Sequence, residues 1–268
     1  MVVKMINLIN NKIEEYINCL PNSLIKEIIA YSLLSNGKRI RPLLCLNLLK
    51  DLNIDYYLGG DVALAIELIH TYSLIHDDLP AMDNDTFRRN KLCAHIKYGQ
   101  ANALLAGDSL LTDSFYVISN SKLYSDNIKL KLLNIFNYYT GINGMLLGQE
   151  LDLNKVNVNK NIDYYFKMID LKTGALIKLS LLSALIIGGC DDEIINKWQD
   201  IGYKIGLAFQ IQDDCLDQAN KDNYNILNYL SKDQALSMAN NLYSQVNNDI
   251  KNYVNICRVI NNLFNRKQ

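Results

Sequence analysis

Two clusters of aspartates each close a long apolar stretch of this sequence. The first is Asp77, Asp78 and Asp83, and the second is Asp213, Asp214 and Asp217. Carboxylates gathered at the C-terminal end of a helix repel one another and oppose the helix dipole. A divalent cation removes both penalties, and magnesium prefers hard oxygen ligands from carboxylates and phosphate groups. The two clusters therefore predict magnesium bound together with a diphosphate.

The first cluster is predicted to lie at the end of a helix that faces a cavity. Pro80 disfavours helical geometry at the residue before it, so the helix should end near Asp78. His70, Ser73 and Asp77 are spaced so that they share one face of an otherwise apolar helix. Two cationic side chains that suit phosphate binding follow this cluster, Arg88 and Arg89.

The second cluster is predicted to close another apolar helix in the same way. Steps of four, three, one and three residues place Gly206, Gln210, Asp213, Asp214 and Asp217 on one helical face. Either cluster alone could be an acidic helix end that faces water. Two such helix ends in one chain favour a shared metal and diphosphate site.

Three further patterns are weaker when each is taken alone. Lys38, Arg39 and Arg41 form a dense cationic group that suits a second, metal-free diphosphate, or that is only a basic loop before a helix. Lys172 and Thr173 lie within a long apolar helix, where a lysine is costly unless it is paired, bound to an anion or extended to the surface. Gln149 lies three residues before Asp152, a spacing that also bridges neighbouring helices.

The elements that must position these residues are helices. Apolar periodicity predicts helices near 4–19, 22–35, 41–51, 59–78, 99–120, 127–152, 161–188, 192–217 and 231–265. The stretches Val62–Ile75 and Leu176–Ile187 are apolar nearly all round, so they should lie inside a large bundle. We predict an all-α bundle with a deep internal cavity, formed by a single domain over residues 1–268.

Composition excludes several classes of function. The formal net charge of −1 gives no sign of nucleic acid as a partner. The six cysteines form no CxxC pair and fit buried thiols in a reducing cytoplasm. The N-terminus lacks a signal-peptide core, and the most apolar run is too short to span a bilayer. We therefore expect a cytoplasmic protein without membrane insertion.

Seven segments, taken in order, resemble the polyprenyl synthetase family, the short-chain trans-prenyl transferases of bacteria, and in particular its farnesyl-producing members. The segments are GKRIRP, HTYSLIHDDLPAMDND, FRRN, ANALLAGDSLL, GQELDL, KTGALI and GLAFQIQDDCLD. The resemblance implies an isoprenoid-synthase-type bundle of about ten mostly antiparallel helices around a deep central cavity, and a homodimer. It also implies that isopentenyl diphosphate is condensed with dimethylallyl or geranyl diphosphate to farnesyl diphosphate.

The resemblance assigns a role to each motif residue. It implies that isopentenyl diphosphate is bound by Lys38, Arg39, Arg41, His70 and Arg89. It implies that the allylic diphosphate contacts Arg88, Gln149, Lys172, Thr173, Gln210 and Lys221. Magnesium would be held mainly by Asp77, Asp83 and Asp213, with Asp78, Asp214 and Asp217. Departure of the diphosphate group from the allylic substrate would form an allylic carbocation. The double bond of isopentenyl diphosphate would attack this cation, and the released diphosphate would accept the proton that is then lost.

Product length would be set by the floor of the cavity. Tyr72 lies five residues before Asp77, about one and a half helical turns from the predicted metal site, with Ser73 beside it. In the family, an aromatic residue here and a two-residue insertion in the first aspartate cluster resemble the farnesyl-producing bacterial type. Tyr72 could otherwise be an ordinary core residue.

The sequence departs from the family after Asp217. The family has a longer loop here with a glycine–lysine pair, and Lys221–Asn225 resembles only its second lysine segment. We expect weaker binding of the allylic substrate or slower turnover than in a relative with the full loop.

Other functions are compatible with parts of this pattern. The chain could make geranyl or geranylgeranyl diphosphate instead of farnesyl diphosphate. A class I terpene cyclase would share the aspartate clusters but would not need the Lys38–Arg41 group. A non-catalytic helical subunit of a partner synthase would not need the aspartate clusters.

Overall fold

The computed structural model describes residues 2–35, 37–154, 161–216 and 225–265. Within these ranges the chain is almost entirely helical, so the prediction of an all-α protein is confirmed. The helices are α1 Val2–Cys19, α2 Leu24–Leu33, α3 Ile40–Asp51, α4 Gly60–Asp77, α5 Ala94–Tyr98, α6 Gln100–Asn120, α7 Asp126–Thr140, α8 Met145–Leu153, α9 Ile162–Ile169, α10 Ala175–Ile187, α11 Asp192–Leu216, α12 Lys232–Asp249 and α13 Val254–Phe264.

The chain divides into two compact units, with boundaries within α3, shortly after α3 and within α7. Unit 1 comprises Met1–Leu46 and Asp55–Leu133, and unit 2 comprises Asn47–Ile54 and Asn134–Gln268. A single domain over the whole chain stays a prediction.

Unit 1 is built around α4. This helix is buried on all sides from Val62 to Ile69, as expected for a helix that is apolar nearly all round. It packs against α6, α1 and α2. Contact with α6 is close at Gly107, where a Cβ atom would lie 2.1 Å from Nε2 of His76. A larger residue at this position would force the His76 ring to move.

Unit 2 is built around α10 and α11, which pack against each other. Every residue of α10 from Leu179 to Ile186 is buried, and α11 also packs against α12. A capping box formed by Ser231 and Gln234 starts α12, because each side chain accepts a hydrogen bond from the other residue's backbone N–H. The C-terminal end of α11 carries Asp213 and Asp214 of the second aspartate cluster.

Three predicted helices are interrupted. The helix expected over 127–152 is two helices, because the chain breaks between Gly141 and Gly144, where a Cβ atom on Gly144 would overlap the backbone of Tyr139. The helix expected over 161–188 contains a π-helical turn over Asp170–Gly174, a feature often found at functional sites. The helix expected over 231–265 ends at Asp249 and restarts at Val254.

A short hairpin was absent from the predicted elements. Strands β1 (Phe87–Arg88) and β2 (Lys91–Leu92) pair in antiparallel register. The two turn residues Arg89 and Asn90 both adopt positive φ, as the tight hairpin turns require. With only two residues in each strand, the hairpin has no alternating pattern for sequence analysis to detect.

One helix among the described residues is long and apolar enough to cross a membrane, Tyr56–Asp77. Of its most apolar window, 72% is buried inside the protein. Such burial is typical of the core helix of a soluble protein.

Candidate active site

The first aspartate cluster lies at the C-terminal end of α4 in unit 1. Asp77 is the last residue of this helix and Asp78 is its C-cap. The chain then turns back, and the backbone N–H of Asp83 donates to the carbonyl oxygen of Asp77 at 2.9 Å. Pro80 explains the helix end, because it disfavours helical geometry at the residue before it. The turn thus brings the exposed Asp83 next to the partly buried Asp77.

Asp78 shares this helix end, but its carboxylate is already bound by the protein. It is only 4% exposed, and Nε of Arg88 donates to its Oδ1 at 2.5 Å. Burial raises the pKa of the Asp78 carboxyl, and hydrogen bonds from Arg88 and Cys93 oppose that shift. The ion pair anchors the β1–β2 hairpin to the end of α4. Asp77 and Asp83 are therefore better placed than Asp78 to meet a metal ion.

A cationic pocket of about 310 Å³ also lies in unit 1. Its described lining contains four cationic side chains and one carboxylate, that of Glu67. This excess of positive charge favours a multiply charged anion such as a diphosphate. The lining residues are Gly37, Lys38, Arg39, Ile40, Arg41, Glu67, His70 and Arg89.

The side chain of Arg39 is buried and holds the loop that lines this pocket. Its side chain adopts a buried position in which Nη1 donates to Oε2 of Glu67 at 2.7 Å and Nη2 donates to the carbonyl oxygen of Leu33 at 2.6 Å. Its backbone has φ 51°, in the left-handed region. These contacts fix the loop on α2 and α4, so the geometry favours Arg39 as a support for Lys38 and Arg41.

The ion pair between Arg39 and Glu67 gives a prediction about stability. Glu67→Gln should lower the free energy of unfolding by about 3 kcal/mol, because Arg39 would remain buried without its counter-charge. Urea unfolding measures this loss. The control is Glu15→Gln, which removes an exposed ion pair with Lys12 and should change the unfolding midpoint very little. An equally small loss for Glu67→Gln would contradict the structural role of the pair.

Arg41 and His70 face each other across the pocket. Nη1 of Arg41 lies 3.4 Å from Nε2 of His70, and since arginine can only donate, Nε2 acts as the acceptor. Burial lowers the pKa of His70 well below its usual range, and the charges of Arg41 and Arg89 lower it further. Nε of Arg41 is buried and has no partner among the described residues. The pocket therefore holds a neutral imidazole and a guanidinium with a donor available for an anion.

The lowered pKa of His70 predicts a pH dependence of stability. As the pH falls, the His70 imidazole is protonated in the unfolded chain before it is protonated in the folded chain. The stabilisation of the folded state is therefore present above about pH 6.5 and is lost below it. Between pH 7.5 and 5.5 the loss from His70 should be about 1.4 kcal/mol. Urea unfolding at both values, compared with His70→Gln, isolates this contribution. Equal pH dependence in the two proteins would refute it.

The second aspartate cluster lies at the C-terminal end of α11 in unit 2. Asp213 is partly buried, whereas Asp214 is only 8% exposed. Nε2 of Gln210 donates to Oδ1 of Asp214 at 2.9 Å, and Oγ1 of Thr173 donates to Oε1 of Gln210 at 3.2 Å. This chain of hydrogen bonds ties the π-helical turn to α11. Asp217 and Lys221, which were also predicted to belong to the site, lie outside the described residues.

Lys172 lies in the π-helical turn, and its charge is paired. Nζ donates to Oδ2 of Asp152 on α8 at 2.6 Å. Gly148 permits this approach, because a Cβ atom there would lie 2.3 Å from the backbone nitrogen of Lys172. Nε2 of Gln149 on the same helix is buried and has no hydrogen-bond partner among the described residues. Two motifs that are distant in sequence thus come together, and Gln149 keeps an unused donor.

Tyr72 and Ser73 lie on α4 before the first aspartate cluster. The Tyr72 ring is 4% exposed and packs edge-on against His76, with ring centroids 5.5 Å apart. Burial raises the pKa of Tyr72 to about 12. Oγ of Ser73 donates to the carbonyl oxygen of His70 at 3.0 Å and so remains close to the helix. Of these two residues, Tyr72 is therefore the one with a bulky side chain that is fixed by packing.

Sequence reasoning missed three residues of these sites. Glu67 offered a signal, because it is a lone carboxylate three residues before His70 in an otherwise apolar helix. Cys93, which binds Asp78, offered none, since a single cysteine in a loop has many possible roles. Tyr165, whose hydroxyl donates to Asp214, also offered none in a tyrosine-rich chain.

The donors present fit magnesium. Asp77, Asp83 and Asp213 bear carboxylates that are not fully buried, and magnesium takes one or two carboxylates together with phosphate oxygens. In the part of the chain that the structure describes, no three His, Cys, Asp or Glu residues form a ready-made metal group.

Comparison with known proteins agrees with these motifs. The family model named polyprenyl synthetase matches residues 22–233. The farnesyl diphosphate synthase of Micrococcus luteus is 47% identical over 195 residues, which cover 73% of this chain and 67% of that protein.

Solved structures share the fold over nearly the whole chain. A geranyltransferase from Legionella pneumophila matches with a TM-score of 0.91 and 31% identity, covering 99% of this chain and 96% of that one. A geranyltransferase from Helicobacter pylori, complexed with magnesium and isoprenyl diphosphate, matches with a TM-score of 0.82 and 32% identity, covering 97% and 96%. The predicted isoprenoid-synthase-type fold is therefore confirmed.

Proposed function

The chain belongs to the polyprenyl synthetase family, and on that premise we propose that it condenses isopentenyl diphosphate with dimethylallyl and geranyl diphosphate to make farnesyl diphosphate. The observation that carries this proposal is the cationic pocket of unit 1, where four cationic side chains surround a single carboxylate. A chain that only ionised one allylic diphosphate would have no need of a second anion site. The pocket therefore distinguishes a condensing enzyme from a terpene cyclase.

The cationic pocket is proposed to bind the diphosphate of isopentenyl diphosphate. Lys38, Arg41 and Arg89 supply charge, and Nε of Arg41 is a donor with no partner among the described residues. His70 is neutral, and because its Nε2 accepts from Arg41, its Nδ1–H can donate one hydrogen bond without adding charge. Arg39 holds the loop in place through Glu67.

The allylic diphosphate is proposed to lie at the aspartate clusters. Membership of the polyprenyl synthetase family supports Asp77, Asp83 and Asp213 as the residues that would hold Mg²⁺, which when bound neutralises the charge of the leaving diphosphate. Arg88, Lys172, Thr173, Gln149 and Gln210 are the proposed polar contacts of this substrate. Lys172 now pairs with Asp152, so an incoming diphosphate would compete with that carboxylate for its ammonium group.

The proposed reaction joins the two substrates by a new carbon–carbon bond, and a carbon–oxygen bond and a carbon–hydrogen bond are broken. The allylic carbon–oxygen bond breaks, the double bond of isopentenyl diphosphate attacks the resulting cation, and a proton then leaves to the released diphosphate. The side chains bind and orient the two diphosphates and stabilise the negative charge on the one that leaves. A dry cavity protects the cation from water.

The experiment that tests this function is a condensation assay. The purified chain is incubated with labelled isopentenyl diphosphate, dimethylallyl or geranyl diphosphate and Mg²⁺, and the product is separated by chain length. Farnesyl diphosphate is the expected product. Product that stops at geranyl diphosphate, or extends to geranylgeranyl diphosphate, would change the assigned specificity. No product, together with binding to a partner synthase, would support a non-catalytic subunit.

The remaining expectations concern assembly and location. A homodimer is supported by apolar side chains exposed on α6, where Leu104 is 44%, Leu105 50% and Tyr116 61% exposed. Light scattering of the purified chain tests this state. A cytoplasmic location is supported by the six cysteines, all of which lie in the described ranges and occur as thiols.

A further inference from the structure

Asp214 of the second cluster is a buried carboxylate that accepts hydrogen bonds on both of its oxygens. Its Oδ2 accepts a hydrogen bond from the hydroxyl of Tyr165 at 2.7 Å and another from the backbone N–H of Ile226 at 2.9 Å. Its Oδ1 accepts from Nε2 of Gln210 at 2.9 Å. A buried carboxylate satisfied by three donors is stable in place, whereas removing one donor leaves a costly unmet charge.

These three donors come from three different parts of unit 2. Tyr165 lies on α9 and is fully buried, Gln210 lies on α11, and Ile226 starts the 3₁₀ turn that follows the described end of α11. Asp214 therefore ties α9 and the incoming 3₁₀ turn to the C-terminal end of α11. This end is the part of the helix that carries Asp213.

Asp213 and Asp214 differ in what their side chains can reach. Successive residues of an α-helix point about 100° apart, so the two carboxylates cannot face the same direction. Asp214 is buried against α9, and Asp213 is only partly buried. Oδ2 of Asp214 already accepts two hydrogen bonds and Oδ1 accepts one, and the residue is only 8% exposed, so little of this carboxylate is open to a metal ion.

We propose that Tyr165 and Asp214 are positioning residues that hold the end of α11 so that Asp213 can bind Mg²⁺, and that Asp214 is not itself a metal ligand. This inference rests on the proposed function, because it concerns the metal and diphosphate site of that reaction. Mutation of a residue that orients a metal ligand typically lowers metal affinity or activity by about 10- to 100-fold.

The first test removes a single hydroxyl. Tyr165→Phe should weaken Mg²⁺ binding by about tenfold when the metal is titrated calorimetrically in the presence of inorganic diphosphate. The matched control is Tyr164→Phe on the same helix, which loses a hydrogen bond from its hydroxyl to the carbonyl oxygen of Leu151. The control should bind Mg²⁺ within about twofold of wild type. In the assay, Tyr165→Phe should raise the Mg²⁺ requirement and leave the KM for isopentenyl diphosphate unchanged.

The second test separates a positioning residue from a ligand. An asparagine at 214 can keep all three hydrogen bonds, because its carbonyl oxygen replaces Oδ2 and Gln210 can flip its amide to accept from the new NH₂ group. Asp214→Asn should therefore bind Mg²⁺ and diphosphate within about threefold of wild type. Asp213→Asn should bind Mg²⁺ and diphosphate about 100-fold more weakly than wild type. Asp214→Ala cannot keep the hydrogen bonds and should bind them at least about tenfold more weakly.

Each outcome decides the inference. Loss of Mg²⁺ binding in Asp214→Asn as large as in Asp213→Asn would make Asp214 a direct ligand. Equal Mg²⁺ binding in Tyr165→Phe and Tyr164→Phe, with similar drops in Tm, would leave Tyr165 a purely structural residue. A wild-type chain that binds Mg²⁺ and diphosphate but forms no product would overturn the proposed function alone. A wild-type chain that binds neither would overturn both.

Discussion

Asp77→Asn should reduce kcat for condensation by about 10³-fold, equivalent to about 4 kcal/mol of transition-state stabilisation. The reason is that asparagine keeps the size of the side chain but loses the negative charge that holds Mg²⁺ at the leaving diphosphate. The turn to Asp83 should survive, since it is held by the backbone carbonyl oxygen of Asp77, which asparagine keeps. Steady-state assays at saturating substrate measure this loss.

A second readout makes the result specific to the metal site. The KM for isopentenyl diphosphate should stay within about twofold of wild type, because the proposed pocket for this substrate consists of other residues, Lys38, Arg41, His70 and Arg89 among them. Asp126→Asn, at a fully exposed carboxylate on α7, is the control and should have wild-type kinetics. If Asp77→Asn kept more than about a tenth of the activity, Asp77 would not be a main ligand.

Tyr72→Ala should change the main product from farnesyl diphosphate to geranylgeranyl diphosphate and longer chains. Tyr72 lies five residues before Asp77, about 7.5 Å down the helix from the predicted metal site. Its ring is buried and packed against His76, so it is a fixed obstacle and not a mobile one. Removing the ring opens space below the growing chain. Product length is measured by chromatography after hydrolysis of the diphosphate.

The control for this prediction is Tyr72→Phe. It keeps the ring and removes only the hydroxyl, so farnesyl diphosphate should remain the product. Tyr72→Ala should also lower stability by about 3 kcal/mol, since it leaves a cavity in a packed core, and assays are best run well below its Tm. An unchanged product from a folded Tyr72→Ala protein would show that another residue sets the chain length.

The end of α4 could be predicted from sequence because its causes are local. An apolar run, an aspartate pair and Pro80 two residues later determine where the helix stops, and the structure ends it at Asp77. The buried character of α4 and α10 follows equally from their composition. Short-range propensity and periodicity are sufficient for such features.

The interruptions of the predicted helices are accompanied by close backbone contacts. The backbone of Tyr139 lies against Gly144 five residues later, at the break between α7 and α8, and the backbone of Lys172 in the π-helical turn lies against Gly148 of α8. The π-helical turn at Asp170–Gly174 likewise interrupts a run whose hydrophobic pattern continues unbroken. Periodicity detects an apolar face but not a close approach of two backbones.

The sequence by itself determined the helical class, the two aspartate clusters and the cationic group at Lys38–Arg41, because residue type and spacing carry that information. Only the tertiary structure decided which groups meet the carboxylates of Asp78 and Asp214. Asp78 meets Arg88, and Asp214 meets Tyr165 and the backbone of Ile226. Two adjacent aspartates are chemically identical in sequence. Burial and hydrogen-bond donors from other segments make them different.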